Sequence, residues 1–142
     1  MLDFSFSWLP FVLVAAANFM LSWLYYSPAL PWFKAWQKGI GMDPGKREMT
    51  AEDRRAMPRL MGGAAIATLL FSYGLQVLVH SVKAETFLQG ALAGLLAWVA
   101  FSVTHSLNTQ FEGRKPVVLV INNVLHLLTY SGFGGLIAVL GR

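Results

Sequence analysis

Residues 87–109 read FLQGALAGLLAWVAFSVTHSLNT, a run without a single Lys, Arg, Asp or Glu. As a helix rising 1.5 Å per residue, it reaches roughly 34 Å, enough for the ~30 Å hydrocarbon core of a bilayer. Working outward, three further apolar runs bounded by charge cover residues 9–26, 60–79 and 117–140. The first is short and is expected to stand nearly upright. Composition agrees: of 142 residues, 56% are hydrophobic and 13% charged, with a mean hydropathy of +0.53. Soluble domains are about 45–50% apolar and about 25% charged. The expected fold is an all-α membrane protein, one domain over residues 1–142 with four transmembrane helices and a short interfacial amphipathic helix after the first. Four spans leave no room here for a second, soluble catalytic domain. Ala15-Ala16-Ala17 has the look of a signal-peptidase site, but residues 1–8 carry Asp3 and no Lys or Arg, so the first run is read as a retained helix. The absence of cysteine excludes disulfides, thiolate metal sites, iron–sulfur ligation and Cys nucleophiles.

Charge sets the expected orientation. Lys34, Lys38, Lys46, Arg47, Arg54, Arg55 and Arg59 lie between the first two spans, and Arg114 and Lys115 between the last two. Only Lys83 and Arg142 fall on the other side. The positive-inside rule therefore puts both basic loops in the cytoplasm and both termini outside. The net charge of +4 is thus a topology signal, and nucleic acid is not expected as a partner.

Between the first two spans, residues 31–40 (PWFKAWQKGI) segregate Trp32, Phe33 and Trp36 from Lys34, Gln37 and Lys38 when placed on a helix. That pattern suits an interfacial anchor in the headgroup layer, and the neighbouring charges also admit an anionic-lipid patch. Asp43-Pro44-Gly45 reads as a turn. Thr50 with Asp53 reads as a capping box opening a short helix into the second span.

Polar side chains at bilayer depth are costly and mark where to look for function. Asn18, Ser22 and Tyr25 share one face of the first span. Thr68, Ser72, Gln76 and His80 recur every four residues in the second. Trp98, Ser102, His105, Asn108 and Thr109 form the stripe of the third. Asn122, His126 and Thr129 form that of the fourth, where the next position, Phe133, is apolar. Counted from the basic ends, Asn18, His105, Asn122 and His126 lie about 7–15 Å deep and are expected to converge in that half of the bundle. Two readings stay open: hydrogen-bonded packing glue, or a ligand or transport site. Gly90-x-x-x-Gly94 lies on nearly the same face as His105 and Asn108, so its close neighbour is expected within the subunit. Any homo-oligomer then uses another surface, such as the second span. Two histidines without a carboxylate are a weak metal signal, so no metal site is expected, and no cofactor motif is present.

Local patterns also match a known family. Trp23-Leu24-Tyr25-Tyr26-Ser27-Pro28 followed by Trp32-Phe33-Lys34-Ala35-Trp36 resembles the "WYSP … F-G-K-x-W" opening of DUF1761, a family of small bacterial and archaeal membrane proteins of unknown function. Phe111-Glu112-Gly113-Arg114 resembles its "FEGR", and Ile121-Asn122-Asn123 with His126-Leu127 its "IN…HL" segment. Leu24-Tyr25-Tyr26 stands where a single Trp-Tyr is usual, and Lys34 follows Phe33 directly where Gly is commoner. The resemblance implies four spans in a bacterial or archaeal cytoplasmic membrane and supplies no activity. At the matched positions, Glu112 and Arg114 are expected to pair in the hairpin turn, with Arg114 also placed to cap the carbonyl end of the third helix. The functional expectation is a non-enzymatic small permease, channel-like or scaffold unit surrounded by membrane lipids, its small-molecule ligand unknown. The alternative is a membrane-embedded enzyme acting on a lipid or quinone through His105 and His126.

Overall fold

The computed structural model describes residues 1–42 and 50–141. Five helices follow in order: α1 (Trp8–Tyr25), α2 (Phe33–Gly39), α3 (Ala51–Ser81), α4 (Phe87–Phe111) and α5 (Pro116–Leu140). All but α2 are long and apolar enough to cross a membrane. The expected turn at Asp43-Pro44-Gly45 lies outside the described residues.

Local chemistry accounts for the helix ends. Pro10 sits in the first turn of α1, where no intrahelical donor is required. Pro116 opens α5 at its first position. The Thr50–Asp53 capping box forms in both directions, with Asp53 N–H donating to Thr50 Oγ1 (3.1 Å) and Thr50 N–H to Asp53 Oδ2 (3.0 Å). Thr86 and Gln89 build the same device at the start of α4.

Two expectations need correction. The helix opened by the Thr50–Asp53 box is not short: α3 runs unbroken for 31 residues through Pro58. Proline there removes only the bond to the Arg54 carbonyl, near exposed Arg54, Arg55 and Ala56, where water can replace it. Nor does Arg114 cap α4. Gly113 (φ +70°) ends that helix in a Schellman turn, with Gly113 N–H donating to Gln110 O and Arg114 N–H to Thr109 O. The Arg114 side chain pairs instead with Glu112 (Nε–Oε2 2.8 Å).

α5 is the central helix and packs against every other helix. Its seam with α4 is the tightest. A Cβ on Gly90 would strike the Gly134 carbonyl oxygen, and one on Gly94 the Tyr130 carbonyl oxygen. Bulk at either position therefore forces the backbones apart. Asn123 then bridges the same pair, accepting from Ser102 Oγ (2.7 Å) and donating to Ser106 Oγ (3.0 Å), while Trp98 Nε1 donates to its carbonyl (3.1 Å).

The helices alternate, so α1, α4 and α3 each leave the basic loops at one end, called here the basic end. At the far end, Val14, Leu75, Val79, Phe133, Ile137 and Ala138 form one buried cluster. The extended residues before α1 lie along the last turns of α3. Ser7 N–H donates to Gln76 Oε1 (3.2 Å), and Gln76 Nε2 returns to Ser7 O (2.8 Å). Ser72 Oγ donates to Phe11 O (2.9 Å), and Ser5 Oγ meets His80 Nδ1 (3.0 Å). Beyond Thr68, Ser72, Gln76 and the Nδ1 of His80 are thus engaged in holding residues 5–11. Every buried residue of α3 lies in this half, from Ser72 onward. Its first half stands away from α1 and α5.

Candidate functional site

The divergence of α3 opens a cleft of about 730 Å³ beside α1 and α5. Asn18, Ser22 and Ser27 contribute from the α1 side, His126 and Tyr130 from α5, and Thr68 from α3. Apolar and aromatic groups, among them Phe19, Trp23, Phe71 and Phe101, make most of the remaining wall. Among the described residues, no Lys, Arg, Asp or Glu lines it.

Helix α2 closes the basic end. Its tryptophans turn inward: Trp32 Nε1 donates to Tyr25 O (3.0 Å), its ring lies 4.8 Å from that of Tyr25, and Trp36 lies 4.8 Å from Tyr26. Phe33 stacks on Trp36. Gly39 is buried so closely against Val118 of α5 that a Cβ would overlap its side chain. Behind this plate, Tyr25 Oη donates to Ile121 O (3.0 Å) and Tyr26 Oη to Asn122 Oδ1 (2.8 Å). These two bonds lock the register of α1 against α5.

Of the four residues expected to converge, His105 and His126 meet with ring centroids 5.7 Å apart, edge to face. Phe101 stacks on His105 (5.5 Å) and meets His126 edge-on (5.3 Å). His105 Nε2 is buried without a hydrogen-bond partner. Asn18 shares the cleft with His126, whereas Asn122 is drawn toward Tyr26. Asn108 is exposed near the end of α4 and stands apart from the group. Among the described residues, no group of three or more His, Asp or Glu is placed to hold a metal ion.

The stripe logic missed three contributors. Tyr130 follows His126 at four-residue spacing, which was a usable signal. Ser27 lay hidden in the helix-ending Ser-Pro pair, and Asn123 stood one position from the expected Asn122. A second contrast matters more. Ser72, Gln76, Tyr25, Tyr26, Trp98, Ser102 and Asn123 all spend their polar atoms inside the protein. Among the described residues, no hydrogen bond engages the side chains of Asn18, Ser22, Ser27, His126 or Tyr130, and Ser27 Oγ is fully buried. Ser27 Oγ is buried outright and the other four side chains are half-buried facing the cleft; with little water at bilayer depth, their partners are left for something else to supply.

The family described as "Protein of unknown function (DUF1761)" matches residues 9–138. The chain belongs to this family. No curated protein and no solved structure matches it. In this DUF1761 protein, the residues that carried the resemblance sit at structural junctions: Trp32 and Trp36 in the plate over the basic end, Gly113 in the turn closing α4, and Asn122, Asn123 and His126 along the face α5 turns to its neighbours.

Proposed function

We propose that the protein is a non-enzymatic, permease-type membrane unit that takes an uncharged, lipid-soluble molecule from the side, between α1 and the first half of α3. The observation that carries this reading is the unspent polar set inside a largely apolar cleft of about 730 Å³. That volume is within the ~300–1,000 Å³ usual for small-molecule sites. A channel would need free polar groups from end to end, whereas beyond the cleft Ser72 and Gln76 are tied to residues 7–11. A pure scaffold would leave five polar side chains without a role. In this reading the basic end faces the cytoplasm of a bacterium or archaeon, and membrane lipids cover the remaining surface.

Photolabelling in lipid nanodiscs tests the proposal. An uncharged long-chain diazirine should mark the α1 and α3 residues of the cleft. Ala64→Trp, which puts an indole into the opening, should abolish that labelling and leave the fold intact, because no residue of α3 before Ser72 is buried. Labelling spread evenly round the bundle and indifferent to Ala64→Trp overturns the reading.

The ring contact between His126, in the cleft wall, and His105 behind it favours a second reading: chemistry on a lipid or quinone with these histidines as acid and base. Turnover lost in His126→Gln with ligand binding retained would select it.

A further inference from the structure

The geometry points to one class of occupant: a flat ring carrying oxygens at two opposite positions, of the quinone type, whose apolar tail leaves through the opening beside α3. This rests on the lateral-binding reading above. α1 ends and α5 begins at the basic end, so the two run antiparallel, and the bonds from Tyr25 to Ile121 and from Tyr26 to Asn122 join them there. One step of four residues from the Tyr26–Asn122 pair brings Ser22 level with His126, and a second brings Asn18 level with Tyr130. All four line the cleft and have unspent side chains. They make two polar rungs about 6 Å apart along the helices, the rise of four residues. That spacing suits the opposed oxygens of one six-membered ring.

The chemistry of each rung agrees. Hydroxyl, amide N–H and imidazole N–H all donate, and quinone oxygens only accept. The surrounding wall is aromatic: Tyr130 meets Phe71 edge-on (5.0 Å) and stacks with Phe101 (5.7 Å), which in turn meets His126. Such surfaces favour a flat conjugated ring over a branched head. A phosphate or ammonium head would lie at bilayer depth with no lining side chain of opposite charge among the described residues, which is heavily penalised. A long-chain alcohol fits the apolar wall but satisfies one rung only.

The test compares three probes partitioning into nanodiscs that hold the full chain: a decyl-substituted benzoquinone, the corresponding ring with a single carbonyl, and dodecanol. The benzoquinone should bind about tenfold more tightly than the one-carbonyl ring, the difference one hydrogen-bonded rung can supply. Deleting either rung, by Asn18→Leu with Tyr130→Phe or by Ser22→Ala with His126→Phe, should lower benzoquinone affinity about tenfold. In either variant the two rings should then bind alike. Two separate rung deletions keep the test available should one pair fail to fold. Equal binding of all three probes, each displaced by Ala64→Trp, overturns the quinone class and leaves lateral binding standing. Discrimination that survives both deletions also overturns the class. Probe binding that Ala64→Trp does not reduce overturns both proposals.

Discussion

Gly94→Leu should destabilise the fold itself. In the native seam a Cβ at position 94 would collide with the Tyr130 carbonyl oxygen, lie 2.6 Å from the carbonyl carbon and 3.1 Å from Ser131 Cα. These are backbone atoms in the middle of α5, so no side chain can swing aside and the helices must separate. A gap of 0.5–1 Å already forfeits about a quarter to a half of each dispersion contact. Separation also stretches the three hydrogen bonds that Trp98, Ser102 and Ser106 make with Asn123. Interhelical bonds of this kind are worth roughly 0.6–2 kcal/mol each. Overpacking by itself costs typically about 1–3 kcal/mol, so losing even one of the bonds as well brings the total to roughly 2–5 kcal/mol. Gly62→Leu is the matched control, since nothing lies within 4 Å of a Cβ there. Unfolding in mixed detergent, followed by tryptophan fluorescence, should show Gly94→Leu strongly destabilised and Gly62→Leu near wild type. If Gly94→Leu unfolds with the wild type and differs only in oligomeric state, the seam lies between subunits and the packing argument is wrong.

Three further outcomes follow from local features. Ala51→Cys in this cysteine-free chain should react with impermeant maleimide only from the cytoplasmic side, and labelling from outside reverses the proposed orientation. Lys83 ends α3 in the left-handed region (φ 52°), with its N–H bonded to His80 O and that of Ala84 to Val79 O. Lys83→Gly should therefore stabilise by about 0.5–1 kcal/mol in the same unfolding assay, and a loss of stability would contradict the strained backbone. The Ser5 backbone N–H, then its hydroxyl, hold the Asp3 carboxyl below its ordinary 3.8, with smaller help from His80 and Lys83. The folded value being lowered, this contribution is complete above pH 3.8 and is lost only as pH falls through the lower folded value. Protease cleavage before Trp8 should rise only in that acid range, and Asp3→Asn should remove the dependence.

Apolar length between charges placed α1, α4 and α5 to within one or two residues, because crossing a bilayer demands both properties together. The Thr50–Asp53 capping box marked the start of α3 as well; what it did not show is that this helix and the second span are continuous. Arg54, Arg55, Pro58 and Arg59 look like a loop, yet a wet helix end tolerates both charge and a missing donor. Periodicity likewise showed which face of each helix is polar but not what that face meets. The face of α3 met backbone and not another polar stripe: Ser72 bonded to the Phe11 carbonyl in the first turn of α1 and Gln76 to its N-cap Ser7, main-chain groups that no side-chain periodicity announces.

The site shows the same division between face and partner. Asn122 and Asn123 are adjacent, and a helix turns about 100° between them. Each therefore sits near one edge of the α5 polar stripe, and composition cannot say which edge α4 will claim. Gly90 and Gly94 decide it, since their missing side chains pull α4 onto the Asn123 edge and leave Asn122 to Tyr26. Once α4 is held there and residues 5–11 have tied down the far half of α3, the first half of α3 meets the cleft with Met61, Ala64, Ala67 and Thr68, mostly small side chains. Side chains of that size leave the space between α3 and α1 open. The cleft is thus a consequence of close packing at Gly90 and Gly94 and of small residues where α3 faces α1. Asn18, Ser22, His126 and Tyr130 face it unspent because the helices that would have paired with them are held elsewhere.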